Sequence, residues 1–226
     1  MSKISMPPVD NNIPKKKKKW PWIVGGIVIF FAILSNIEDE QKKEADKSEA
    51  TANVAEVVTP EEPEIDSALV AELAPKFRES YDEFNKLSWV EPKTASKYNN
   101  ATDFYTYFSK SDKGVSNLRF KVQYEGSDWL FIKNVTFLIG DETITYTPPK
   151  VERDNNTRVW EWFDVHATSD PHLFAILTFI MDAQSNGKPV KIRFQGRQYH
   201  RDVTLTKKQI DQIVDPIKYF GALKGN

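Results

Sequence analysis

The chain has 226 residues, a formal net charge of -1 and no cysteine. The missing cysteines exclude disulfides, thiolate catalysis and cysteine-ligated zinc or iron–sulfur centres. Charge is divided by region: residues 1–21 carry six lysines and one aspartate, residues 38–66 carry eleven acids and three lysines, and residues 67–226 carry 22 bases and 20 acids. We expect three regions of different character, of which the last is long enough to bury a core without disulfides.

A membrane anchor is the strongest pattern in the sequence. No residue from 20 to 37 is charged, and at about 1.5 Å per helical residue this segment nearly spans a hydrocarbon core of about 30 Å. The lysines that precede the segment predict that the N-terminus lies in the cytoplasm. The expected location is the cell inner membrane, so the lipid bilayer is an expected partner. The residues expected at the membrane interface are Lys15, Lys16, Lys17, Lys18, Lys19, Trp20 and Trp22.

A cleavable signal peptide is the alternative interpretation of the same segment. It would share the basic and apolar regions and would release a soluble product. Cleavage requires small residues in an A-x-A-like arrangement, whereas Ala32 is followed by the bulky Ile33 and Leu34. The sequence therefore favours an uncleaved anchor.

The chain divides into four predicted parts. These are a cytoplasmic basic tail (1–19), a transmembrane anchor (20–37), an acidic linker (38–66) and an extracytoplasmic domain (67–226). The proline and glutamate residues that close the linker favour an extended chain. A disulfide-free exported domain is typical of a bacterial envelope rather than of a eukaryotic lumen.

Apolar spacing predicts the first elements of the domain. Residues 70–87 carry apolar side chains at intervals of three and four, which indicates a helix divided at Pro75. Residues 103–108 suit either a short helix or a strand. Strict alternation of apolar and polar residues over 118–125 predicts a half-buried strand. A turn at 126–128 is expected to connect it to a second strand over 129–139.

The second half of the domain completes an α+β pattern. Gly140 and Asp141 predict a two-residue hairpin that pairs Ile139 with Glu142, and residues 158–166 form a central strand. Asp170 caps a helix that Gly187 ends, a hairpin covers 190–205, and Thr206 opens a terminal helix. The predicted fold is an antiparallel sheet of about six strands, four of them in a meander, with flanking helices.

The last hairpin is the candidate binding site, because residues 188–208 carry seven lysines and arginines against one acid. A two-residue turn at 196–197 would pair residue 193 with residue 200 and would put one basic side chain, residue 201, on the apolar face. A charged, solvated strand edge is the alternative, and the acidic linker could itself cover the basic face. The candidate residues are Lys191, Arg193, Arg197, His200 and Arg201.

Catalytic patterns are weak. Asp164, His166 and His172 are a conceivable metal set, but strand alternation produces such groupings often, and we expect neither a metal nor another cofactor. Nucleophile elbows and glycine-rich phosphate loops are missing from the sequence. The tryptophans Trp129, Trp160 and Trp162 could stack on sugars or peptides, but most are expected in the core.

These observations favour a binding role over catalysis. The expected function is that of a single-pass, membrane-anchored binding domain of the cell envelope, accessory or immunity-like, with a protein or anionic envelope partner and no nucleic acid. One alternative is an anchored envelope hydrolase that uses Asp164 and His166. Another is a structural subunit joined to a membrane complex through its anchor.

Overall fold

The computed structural model describes residues 65–225. The helices are α1 (Ser67–Leu73), α2 (Pro171–Ser185) and α3 (Lys207–Lys224), with a short 3-10 helix at Ala74–Lys76. The strands are β1 (Phe77–Asp82), β2 (Leu87–Pro92), β3 (Asp103–Ser111), β4 (Gly114–Gly126), β5 (Asn134–Ile139), β6 (Glu142–Tyr146), β7 (Glu152–Asn155), β8 (Val159–His166), β9 (Val190–Gln195) and β10 (His200–Thr204).

The strands form two antiparallel sheets. The first has six strands in the order β1-β2-β3-β4-β8-β7, and the second has four in the order β10-β9-β5-β6. The α+β class is confirmed, but the single sheet is corrected to two. The predicted meander is wrong, because β4 pairs with β3 and β8 while β5 lies in the second sheet beside β9.

The helix predicted over residues 70–87 is also wrong beyond its first turns. Helix α1 ends at Leu73, Pro75 starts the 3-10 helix, and the chain then forms the antiparallel pair β1 and β2. An apolar spacing of three or four also fits two strands separated by a turn. Residues 103–108 lie in strand β3, which settles the choice left open for them.

Several local predictions are confirmed. The β5–β6 hairpin pairs Ile139 with Glu142, as its two-residue turn requires. The Asp170 side chain accepts hydrogen bonds from two N–H groups at the start of α2, and Thr206 forms a capping box with Gln209 at the start of α3. Strand β8 lies inside its sheet, between β4 and the edge strand β7.

The core lies where the inner faces of the two sheets meet. Phe104 and Tyr124 of the first sheet contact Phe194 of the second with ring centroids 5.8 and 5.5 Å apart, and Phe120 contacts Phe137 at 6.4 Å. Helix α3 packs on β2, β3 and β4 beside this interface. The opposite face of the second sheet carries exposed side chains, whereas the opposite face of the first sheet is partly covered by the chain after β2.

Within residues 65–225, no helix is both long and apolar enough to cross a bilayer. The anchor predicted at 20–37, its interface residues and the linker up to residue 64 fall outside the described residues.

Candidate functional site

The register of the last hairpin differs from the prediction. Its loop has four residues rather than two, so Asp202 lies opposite Arg193 and His200 lies opposite Gln195. A shift of two residues keeps each side chain on its expected face, because side chains alternate with a period of two. The observed register therefore changes only which side chains are cross-strand neighbours.

The new register neutralises the centre of the predicted basic face. Arg193 donates two hydrogen bonds of 2.7 Å to the two carboxylate oxygens of Asp202. These bonds lower the pKa of the Asp202 carboxyl below its ordinary value. Lys191 and His200 remain exposed. This face of the second sheet holds an open depression of about 260 Å³, lined by Thr136, Leu138, Thr143, Lys191, Ile192, Arg193, Asp202, Val203 and Thr204.

Arg201 lies on the other face of the hairpin. It pairs with Phe194 across the sheet, yet its side chain is exposed because β10 is an edge strand. Burial raises the pKa of the Tyr124 hydroxyl, and the positive charge of Arg201 opposes this rise without cancelling it. The expectation that Arg201 belongs to the inner, apolar side is confirmed, although it is not buried there.

Arg197, at the hairpin tip, belongs to a different cluster that sequence reasoning missed. Its guanidinium lies 5.5 Å from the ring centroid of Phe131, and the guanidinium of Arg153 lies 5.7 Å from the same centroid. The ring of Trp129 stacks against Phe131 at 6.0 Å. We call Trp129, Phe131, Arg153 and Arg197 the arginine–aromatic patch.

Phe131 is presented to solvent in an unfavourable backbone conformation. Its φ is +54°, in the left-handed region that a bulky side chain rarely adopts. The residue as a whole is 43% exposed. Local strain of this kind persists only where the surroundings determine it, and it is concentrated at functional sites.

Glu161 holds this conformation in place. Its side chain is fully buried, and its two carboxylate oxygens accept hydrogen bonds of 2.8, 2.8 and 2.9 Å from the backbone N–H groups of Leu130, Phe131 and Ile132. Arg153 donates from Nε to the same carboxylate at 2.9 Å. One buried acid therefore fixes both the loop that carries Phe131 and an arginine beside the ring.

Gly196 ties the hairpin tip to the same loop. A Cβ atom at this position would lie 2.2 Å from the carbonyl oxygen of Leu130, so only glycine allows the approach. The backbone N–H of Arg197 donates to that carbonyl at 2.9 Å. The patch is thus assembled from three separate segments, at 129–131, 153 and 196–197, and no single motif could have revealed it.

The suspected pair Asp164 and His166 lies on the first sheet, away from the core. Asp164 accepts hydrogen bonds from Tyr107 and Arg119, and His166 contacts the side chains of Asn117 and Thr168. Among residues 65–225, no group of three or more histidine and acidic side chains is placed to hold a metal ion. Both oxygens of the Asp164 carboxylate thus accept hydrogen bonds from side chains of the same sheet.

The tryptophans are not core residues. Trp129, Trp160 and Trp162 are all half-buried, so the expectation that most would lie in the core is wrong. In β8 the buried side chains alternate from Val159 to Val165 through Glu161, which puts both of that strand's tryptophans on the opposite face. The buried side of β8 includes the acidic Glu161, so the sequence did not indicate which face of the strand is buried.

Comparisons with known proteins give no relative: no family model matches the chain, and no curated protein or solved structure matches it.

Proposed function

We propose that this chain is a single-pass envelope protein, anchored by residues 20–37, whose extracytoplasmic domain binds a protein partner through the arginine–aromatic patch. The role is accessory or immunity-like rather than catalytic. The observation that carries the proposal is the exposed Phe131, whose ring centroid lies within 6 Å of the guanidinium groups of both Arg153 (5.7 Å) and Arg197 (5.5 Å).

The composition of the patch supports a protein partner. Aromatic and arginine side chains dominate the energetically important centres of protein interfaces, where a rigid ring fills a pocket on the other protein. Phe131 is already fixed by Glu161, so little conformational entropy is lost when it binds.

The charge of the patch supports an acidic contact on that partner. Arg153 is bound to the buried Glu161, whereas the exposed Arg197 has no carboxylate within 4.0 Å among residues 65–225. An unpaired guanidinium beside a ring can hold a carboxylate in a bidentate geometry. Arg197 is therefore the side chain that selects an anionic group.

A photo-crosslinking residue at the exposed Gln198, beside Arg197, tests the proposal in the full chain within its membrane. We expect a discrete protein adduct that is absent when the same residue replaces Phe84, which is 97% exposed in the β1–β2 turn. Arg197→Glu should reduce the yield of this adduct, because charge reversal slows association.

Lys191→Glu is the matched control, since it reverses an exposed charge of the same hairpin on the open face rather than in the patch. It should leave the adduct at residue 198 unchanged. Equal losses from both reversals would show that only the overall charge of the hairpin matters, and an adduct insensitive to Arg197→Glu would contradict the proposed patch.

A further inference from the structure

The outward side of the six-stranded sheet carries a second set of fixed polar and aromatic side chains. We call this surface the outer face, and it lies opposite the side that packs on α3 and on the second sheet. Its half-buried side chains are Trp89, Tyr107, Arg119, Lys121, Trp160, Trp162, Asp164 and His166. The proposed function uses none of them.

Asp164 is the centre of a hydrogen-bond network on this face. The Tyr107 hydroxyl donates to its Oδ2 at 2.5 Å, and Arg119 Nε donates to its Oδ1 at 2.7 Å. Trp89 packs against Tyr107 with ring centroids 5.5 Å apart. Burial and the charge of Asp164 raise the pKa of the Tyr107 hydroxyl, so it stays a donor at neutral pH. The network holds the Tyr107 ring and both charged groups in fixed positions.

The backbone beside the network is irregular. The β3–β4 register shifts between Tyr107 and Ser109, and Asn117, near this bulge, has a φ of +53°. The Asn117 side chain bridges Ser109 Oγ at 2.9 Å and the His166 ring at 3.2 Å. Bulges that redirect side chains occur frequently beside functional sites.

Lys121 is a half-buried charged residue of the outer face that has no ion-pair partner among residues 65–225. It is half-buried next to Tyr105, with Nζ 5.9 Å from the ring centroid, and it makes no ion pair within 4.0 Å in the part of the chain that the structure describes. Burial lowers its pKa, an effect that the charges of Asp164 and Glu91 oppose. A half-buried, unpaired ammonium costs folding free energy, and a group kept at such a cost is a candidate for binding.

The loop after β2 borders one end of the outer face. The Gln123 side chain donates to the Tyr98 carbonyl oxygen at 3.1 Å and to Asn99 at 3.2 Å, so the chain after β2 folds over that end of the face. The open part runs diagonally from Trp89 to Trp162, three strands apart, which is about 14 Å across the sheet. This is a shallow shelf with aromatic side chains at both ends and Lys121 between them.

We propose that the outer face binds an acidic glycan, with sugar rings lying against Trp89 and Trp162 and a sugar carboxylate at Lys121. The aromatic rings offer apolar planes to the C–H faces of sugars, and the fixed groups of Tyr107, Arg119 and Asp164 offer hydrogen bonds to hydroxyls. This site is separate from the arginine–aromatic patch and does not depend on it.

The charge balance of the face favours a glycan over a nucleic acid. Single-stranded nucleic acids require a continuous positive groove beside the aromatic side chains. Here Arg119 is paired with Asp164 and Arg78 is paired with Glu91. Lys121 alone matches a ligand with widely spaced negative charges, as in a polymer of sugar acids.

The test measures binding of three probes to the full chain in detergent by isothermal titration calorimetry: hexagalacturonate, uncharged cellohexaose and hexathymidylate. We expect the acidic sugar to bind most tightly. Lys121→Met keeps the apolar stem and should weaken hexagalacturonate binding by about tenfold, without changing the affinity for cellohexaose. The melting temperature of this variant should be equal to or higher than that of the unmodified protein, because a half-buried, unpaired charge is removed.

Two further variants make the result specific. Trp162→Leu should weaken both sugars, because it removes a ring that contacts sugar faces whatever their charge. Arg197→Glu should leave both affinities unchanged, so a failure of the protein-binding proposal would not affect this one. Hexagalacturonate binding that is undetectable, that Lys121→Met leaves unchanged or that is weaker than hexathymidylate binding would overturn the proposal.

Discussion

At the scale of single residues, two carboxylates determine the candidate surfaces: Glu161 holds the backbone of Phe131, and Asp202 pairs with Arg193. Lys191 and His200 are exposed as expected, but Arg193 is bonded to Asp202 because the loop has four residues where glycine suggested two. The left-handed conformation of Phe131 could not be predicted, since its cause is the distant Glu161. Local chemistry determines which face a side chain takes, whereas ion pairs and strain depend on long-range contacts.

The strain at Phe131 gives a prediction that separates conformation from contact. Phe131→Ala and Phe131→Gly both remove the ring, but only glycine adopts a positive φ without cost. We expect the glycine variant to be more stable than the alanine variant by about 1 kcal/mol, measured by urea unfolding.

The same two substitutions at Tyr199 provide the control. Tyr199 is 64% exposed, and it is not among the residues of positive φ. There the glycine variant should be no more stable than the alanine variant, because glycine only adds entropy to the unfolded chain. A Phe131→Ala protein as stable as Phe131→Gly would show that the loop is not strained.

At the scale of elements, the predictions succeeded where capping or turn chemistry was local. Asp170 and Thr206 start their helices as expected, and the β5–β6 turn fixed its register. The first helix was predicted too long because its apolar spacing also fits β1 and β2. Strand β7 was missed because its polar residues pair at an edge, where no apolar alternation is needed.

The segment between β4 and β5 depends on one side chain from another strand. Glu161 accepts three backbone hydrogen bonds from this segment and one from Arg153. Glu161→Gln replaces an acceptor by an amide donor and leaves buried N–H groups unpaired. We expect a loss of about 3–5 kcal/mol in the free energy of unfolding.

Hydrogen exchange should locate the damage in this variant. The amides of Leu130, Phe131 and Ile132 should lose protection before the amides of β8 do. Glu152→Gln on β7, whose carboxylate is 44% exposed in a pair with Lys150, should change stability by less than about 0.5 kcal/mol. Similar losses in the two variants would contradict the special role of Glu161.

At the scale of the whole molecule, the fold class followed from the alternation of helical and strand patterns, but the division into two sheets did not. Strands β4 and β8 pair across 32 intervening residues, 127–158, that include the β5–β6 hairpin. Such long-range pairing is chosen by burial of the whole core, not by adjacency in sequence. Both proposed binding surfaces are built from segments that this topology brings together.

The proposed function requires the domain to lie outside the cytoplasm, and this topology can be measured directly because the chain has no cysteine. Single cysteines at Ser2 and at the highly exposed Phe84 can be labelled in intact cells with a maleimide that does not cross the inner membrane. A domain outside the cytoplasm should be labelled at position 84 in intact cells, and a cytoplasmic N-terminus should be labelled at position 2 only after lysis. Labelling at position 2 in intact cells, or protection at position 84 until lysis, would contradict this topology.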